Sequence, residues 1–271
     1  MSPPENTGGE YMSKGEIEMK KTLAIVLCIV MCAAMLAACG SSAKPAAAEE
    51  KTLIVATNVA FPPYEYYENE KAVGIDIDIM QAICDKLGYK MQVDDMEFGS
   101  IIIAVQTGKA DVGAGGLTIT EERKQSVNFT DSYATGIQAV IVTEDSAIAS
   151  VDDLYADDVV IGVQQDTTGD IYCTDDFGED HVARFNKGAD AVQALLTGKC
   201  QAVVIDNSPA KTFVEQNTGL KILPTAYAEE EYAFEIAKEN TELYDAVNGA
   251  LKELLADGTI QAIIDKYISA D

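Results

Sequence analysis

The stretch Gly74-Ile75-Asp76-Ile77-Asp78-Ile79-Met80-Gln81-Ala82-Ile83-Cys84-Asp85-Lys86-Leu87 decides how the chain is read. Ile79, Ile83 and Leu87 recur every four residues, which lines one face of a helix over Ile75–Leu87. Upstream, Leu53-Ile54-Val55-Ala56 is a short apolar run of strand type, closed by Asn58 and the Pro62-Pro63 break. Downstream the alternation continues. Residues 101–105 read as a buried helix ending at Gly108, and 139–142 and 159–163 as strands. Ala191, Leu195 and Leu196 mark a helix and 202–205 a strand. Leu243, Val247, Ala250, Leu251, Leu254 and Leu255 form an amphipathic stripe near the end. This order predicts an α/β protein with mostly parallel sheets. Open α/β sheets bind ligands beyond the carboxyl ends of their strands. That rule gives weight to the polar residues in 58–61, 115–123 and 164–168, and to Asp206.

Composition excludes whole classes of function. The 271 residues carry 45 acidic and 19 basic side chains, a formal net charge of −26, and 48% are hydrophobic, so the chain is globular and not an acidic disordered tail. Binding nucleic acid needs a basic patch to displace counterions, and docking on anionic lipid needs the same, so neither is expected. His181 is the single histidine, which rules out a two-histidine zinc site; no CxxC is present. No metal and no cofactor are expected. Arg123 and Arg184 are the two arginines able to grip an anion with a planar fork. Cys84 falls on the apolar side of its helix and reads as a core thiol. Cys173 and Cys200 could pair in an oxidising compartment, which spacing alone leaves open.

The quoted stretch resembles the signature of the extracytoplasmic polar amino-acid-binding proteins, solute-binding protein family 3, the capture subunits of ABC importers. Further matches follow in order. They are Ala56-Thr57-Asn58-Val59-Ala60-Phe61-Pro62-Pro63-Tyr64-Glu65, Met96-Glu97-Phe98, Gly116-Leu117-Thr118-Ile119-Thr120-Glu121-Glu122-Arg123, Val163-Gln164 with Thr167-Thr168-Gly169, and Val204-Ile205-Asp206. The likeness covers residues 51–269. It implies a two-lobed periplasmic-binding-protein fold of type II, with two crossovers and a ligand in the interlobe cleft. Lobe one would comprise 51–136 and 230–271, and lobe two 137–229.

The resemblance also assigns roles. Arg123 would clamp the ligand carboxylate; read alone, it is equally a surface arginine pairing with Glu121 or Glu122. Gly116 and Thr118 would contact the ligand backbone, although Thr118-x-x-Glu121 also fits a capping box. Asp206 would take the ligand ammonium. Read alone it could be a helix cap, but Ser208 before Pro209 looks the better cap and would free it. Phe61 and Phe98 would sandwich the ligand side chain, against the plainer reading of core aromatics. Thr167 and Thr168 would open a helix and offer amides to the carboxylate, with Gln164 beside them. Asp166 stands where the family has glycine, which puts the loop conformation in question. Asn58 stands where many relatives have aspartate. A neutral amide does not compensate a buried cation, so a neutral, glutamine-like ligand is expected unless Glu65 or Glu97 supplies the charge.

The first residues read as an address. Lys20-Lys21 precede an apolar run over 23–38, too short for a membrane span, and Leu36-Ala37-Ala38-Cys39 looks like a lipobox. That resemblance implies a signal peptide over 1–38, a lipid on Cys39 and a flexible tether over 39–50, with Met19 as the true start because 1–18 is acidic. The expected protein is a monomer held at the outer face of the membrane by lipid alone. It delivers an L-amino acid to the transmembrane subunits of an ABC permease. Two other functions share the fold. A receptor's sensing domain would need a further membrane helix, and a dehydratase-like enzyme would need a poised acid/base pair.

Overall fold

The computed structural model describes residues 51–224 and 226–268. The signal segment with Met19, the lipidation site Cys39 and the tether over 39–50 lie outside the described residues. In chain order the first elements are β1 (Thr52–Thr57), the hairpin β2 (Tyr66–Glu68) and β3 (Lys71–Val73), α1 (Ile75–Leu87) and β4 (Lys90–Asp95). Then come α2 (Ile101–Gln106), β5 (Val112–Gly113), α3 (Arg123–Ser126) and β6 (Val127–Phe129). The middle holds β7 (Ala134–Thr143), β8 (Ile161–Gln164), α4 (Thr168–Phe177), β9 (Val182–Phe185), α5 (Gly188–Leu196) and β10 (Ala202–Asp206). The last are α6 (Asn207–Gln216), β11 (Leu220–Ile222), β12 (Ala228–Tyr232), β13 (Glu235–Ala237), α7 (Thr241–Ala256) and α8 (Thr259–Tyr267).

Beside the antiparallel β2–β3 hairpin, these elements form two larger sheets. The first has the order β4-β1-β5-β13-β6 and the second β11-β7-β10-β8-β9, with β12 pairing β7. The chain passes from the first sheet to the second between Phe129 and Ala134 and returns between Tyr232 and Glu235. This is the two-lobed α/β architecture expected of the type II fold. The sheets are mixed, however, and not mostly parallel. β1 runs parallel to β4 and β5, and β8 to β9 and β10, while β7 is antiparallel to β10, β11 and β12, and β13 to β5 and β6. The antiparallel pairs all involve the crossover strands β7, β12 and β13, which re-enter a sheet without a connecting helix; the βαβ units remain parallel.

α1 forms where the spacing places it. Ile75, Ile79, Met80, Ile83 and Cys84 are buried against α7, whose Leu243, Val247, Leu251 and Leu254 complete the core of the first lobe. Gly88 ends α1 in the left-handed conformation at φ 69°, and the Tyr89 and Gly88 amides donate to Cys84 O and Asp85 O. The second sheet is covered by one apolar cluster holding Ile141, Leu195 and Phe213 and another holding Val140, Ile161 and Val204. Cys84, Cys173 and Cys200 are buried free thiols, so the disulfide that spacing left open is not formed. No described helix is long and apolar enough to cross a membrane.

Candidate functional site

A closed cavity of about 20 Å³, room for about one water molecule, lies between the two sheets. The loop after β1 brings Asn58, Phe61 and Glu65, and the turn before α2 brings Phe98. The loop after β5 brings Gly115, Gly116 and Thr118. From the second lobe come Gln138, Gln164, Thr167, Thr168, Ile205 and Asp206, with Tyr232 from the returning crossover. Most of these positions lie at or after carboxyl ends of strands, as the topology rule demands, while Gln138 lies within β7.

Asp76, in the first turn of α1, anchors one wall. Its carboxylate accepts from Gly115 N at 2.8 Å, Gly116 N at 2.9 Å and the Tyr133 hydroxyl at 2.7 Å. Burial raises its pKa to about 6 even against those three bonds. Gly116 has φ 55°, and a Cβ there would stand 3.1 Å from the Phe61 ring, so glycine serves both the turn and the close approach.

Asp206 corrects one expectation. It is itself the cap of α6, accepting from Ser208 N at 3.0 Å, and also accepts from Ile137 N at 3.1 Å and from the Tyr232 hydroxyl. Ser208 does not displace it, because the Asp206 side chain leaves the strand end already aimed at the helix amides. Asp206 still borders the cavity while 1% exposed, and burial raises its pKa to about 6. The capping box read at Thr118-x-x-Glu121 is not formed. The short helix begins at Arg123, and Thr120 Oγ1 accepts from Arg123 N. Thr118 is buried at the lobe junction instead, 3.4 Å from Thr168 Oγ1.

Nine of the ten expected site residues border this cavity: Asn58, Phe61, Phe98, Gly116, Thr118, Gln164, Thr167, Thr168 and Asp206. Arg123 borders an adjoining interlobe groove instead. Its guanidinium donates to Thr118 O at 3.0 Å and, across the lobes, to Asp166 O at 3.3 Å, and lies 5.5 Å from the Phe98 ring centre. Glu121 pairs with Lys124 at 2.8 Å, not with Arg123. Asp166 adopts φ 64°, the conformation that glycine would favour there; its amide donates to Asp170, and Gly99 leaves room for its side chain. The second arginine, Arg184, is held by Asp170 and Glu179.

Thr167 caps α4 and donates to Gln164 O at 2.8 Å, which aims the first α4 amides at the cavity. Gln164 Nε2 donates to Asn58 Oδ1 at 3.0 Å, another bond between lobes, while Asn58 Nδ2 donates to Met96 O at 2.7 Å. Several cavity acceptors have no hydrogen-bond partner: both Glu65 carboxyl oxygens, Gln138 Oε1 and Gln164 Oε1. Glu65 is 1% exposed, and burial with the nearby Asp76 charge pushes its pKa well above the carboxylate range. Glu97 is exposed and does not face the cavity. Gln138 and Tyr232 are cavity residues that sequence reasoning did not single out. Glu65 enters the sequence reading only as a source of compensating charge for a cationic ligand, since a carboxylate in a Pro-Tyr-Glu-Tyr run carries no sign of burial.

Residues 53–270 match the bacterial extracellular solute-binding proteins, family 3. The chain belongs to this family. Among curated relatives, the arginine-binding extracellular protein ArtP of Bacillus subtilis (strain 168) is 31% identical over 258 residues, covering 93% of this chain and 100% of ArtP. Among solved structures of the same fold, an ancestral arginine-binding protein bound to glutamine is 37% identical with a TM-score of 0.77, covering 82% of this chain and 100% of that one. An ancestral arginine-binding protein bound to arginine is 39% identical with a TM-score of 0.75, covering 81% and 99%. A family 3 member of this kind thus presents its cavity between lobes joined by polar contacts and two crossovers.

Proposed function

We propose that the protein captures a free polar L-amino acid in the interlobe cavity outside the cytoplasmic membrane and delivers it to the transmembrane subunits of an ABC permease. One observation carries the reading. A buried carboxylate and a helix N-terminus border the cavity and an arginine fork stands in the groove beside it, the complement of an ammonium and a carboxylate on one carbon. In this reading Asp206 takes the ammonium. Arg123 takes the carboxylate with Gly116, Thr118, Thr167 and Thr168, because two of the five guanidinium N–H groups are spent on Thr118 O and Asp166 O. Phe61 and Phe98 hold the side chain, and Asn58 with Gln164 stands nearby. The lobes would comprise 51–136 with 230–271, and 137–229, closing on the ligand by a hinge motion. A lipid on Cys39 would hold the protein, a monomer, at the membrane.

For the side chain, the neutral Asn58 supports a glutamine-like ligand. Glu65 supports a second reading, a cationic side chain, because a buried unpartnered carboxylate finds its best partner in a guanidinium or ammonium. The relatives bound to glutamine and to arginine span both. Titrating L-glutamine and L-arginine into wild-type protein and Glu65→Gln separates them. The neutral reading expects glutamine to bind tighter in wild type. Arginine binding tighter, with that preference lost in Glu65→Gln, overturns it in favour of the second. Binding is preferred to catalysis because the polar cavity groups bridge the lobes and no nucleophile–base pair stands among them.

A further inference from the structure

Glu235 is used neither by the core nor by the cavity. It opens β13, and its neighbour Ile236 points into the core that α7 covers, so Glu235 faces the other side of the sheet. There it crosses its register partner Gly113. A Cβ on Gly113 would lie 3.2 Å from the Glu235 carboxylate and 2.9 Å from Ile101, so the bare glycine is the notch that admits the side chain. Glu235 is 1% exposed, and neither carboxyl oxygen has a hydrogen-bond partner. It borders the same groove as Arg123. Burial raises its pKa to about 7, and Arg123 is the charge that draws it down.

The other charges are accounted for. α2, β5 and β6 bring no charged side chain to this face. α3 brings Arg123 and Lys124, and Lys124 pairs with Glu121 at the surface. α7 packs on the Ile236 side, with Glu242, Asp245, Lys252 and Glu253 exposed. The remaining charges on the groove are Glu122 and, on its far wall, Asp166, Asp170, Asp175 and Arg184.

We propose that Glu235 is a positioning residue for Arg123 that competes with the ligand carboxylate for the guanidinium charge, so that capture of an amino acid draws protons onto Glu235. The inference rests on the reading of Arg123 as the carboxylate's partner. In the free protein Arg123 helps to keep Glu235 ionised. When the ligand carboxylate neutralises that charge, Glu235 takes up part of a proton from solution, at most about half per ligand for a one-unit rise. Affinity then falls as pH rises through about 7. The sign is opposite to that of Asp206, whose ionised form the ligand ammonium favours.

The test is isothermal titration of L-glutamine and L-arginine at pH 6.5 and 8.0, in buffers of different ionisation enthalpy, with wild type, Glu235→Gln and Glu235→Ala. Wild type is expected to weaken by up to about tenfold between the two pH values, the equivalent of a one-unit rise at Glu235, with net proton uptake. Both variants lose the slope and the uptake, which lost packing alone does not produce. A wild-type affinity independent of pH, a slope of opposite sign, or a slope that survives in both variants overturns the inference while leaving amino-acid binding intact. Failure of both amino acids to bind overturns the underlying reading and this inference with it.

Discussion

At the scale of single residues, the site is built from carboxylates kept out of water. Asp76 belongs to the helix signature, yet its work is to hold the loop at Gly115 and Gly116 in place. Asp76→Ala leaves two buried amides and the Tyr133 hydroxyl without their acceptor. It is expected to cost about 3 kcal/mol in denaturant unfolding, and to weaken any ligand that needs the Gly116 loop. A loss under about 1 kcal/mol would show that the loop holds itself. Asp206 makes a prediction in pH. Its pKa near 6 must fall when a ligand ammonium pairs with it, so affinity rises with pH between about 5 and 6.5, and Asp206→Asn flattens that rise in titration calorimetry. Residue types in the sequence could name Asn58, Phe61, Arg123 and Asp206. They could not name Gln138 or Tyr232, which reach the cavity only through the pairing of β12 with β7. Nor did they show that Asp206 caps α6 as well as facing the cavity.

At the scale of elements, legibility follows from how local the cause is. α1 is legible because its apolar face, Ile79, Ile83 and Leu87, lies within one short run. Strand direction is not, because β13 runs antiparallel through its return from the other lobe, a fact about the chain path and not about residues 235–237. The α1–α7 contact is the seam of the first lobe. Leu251 is fully buried in it, and Leu251→Ala is expected to cost about 3 kcal/mol by thermal or denaturant unfolding. The Lys86–Glu253 ion pair on the same seam is exposed, so Lys86→Ala should leave the transition almost unmoved. An equal effect from both would contradict a core-driven seam.

At the scale of the whole molecule, the excess of acid matters in two ways. On the surface it excludes nucleic acid without choosing a ligand, because exposed charges are screened beyond about 8 Å at physiological salt. Inside, Asp76 and Asp206 near 6, Glu235 near 7 and Glu65, raised well above the usual carboxylate range, all bind protons more tightly than they do in the unfolded chain. Raised carboxyl pKa values contribute stability that is full below about pH 4 and is lost as pH rises through the folded values. The ligand-free thermal midpoint should therefore drop between pH 5 and 7.5, and a midpoint that rises over that range would contradict the burial described. The central claim is that the interlobe cavity binds a free amino acid through Arg123. A thermal-shift panel with each of the twenty amino acids, on wild type and Arg123→Ala, tests it most directly. At about 100 times its Kd a ligand adds about 2.7 kcal/mol. The account predicts that at least one polar amino acid raises the wild-type midpoint and none raises that of Arg123→Ala; a wild-type midpoint that no amino acid moves would contradict it.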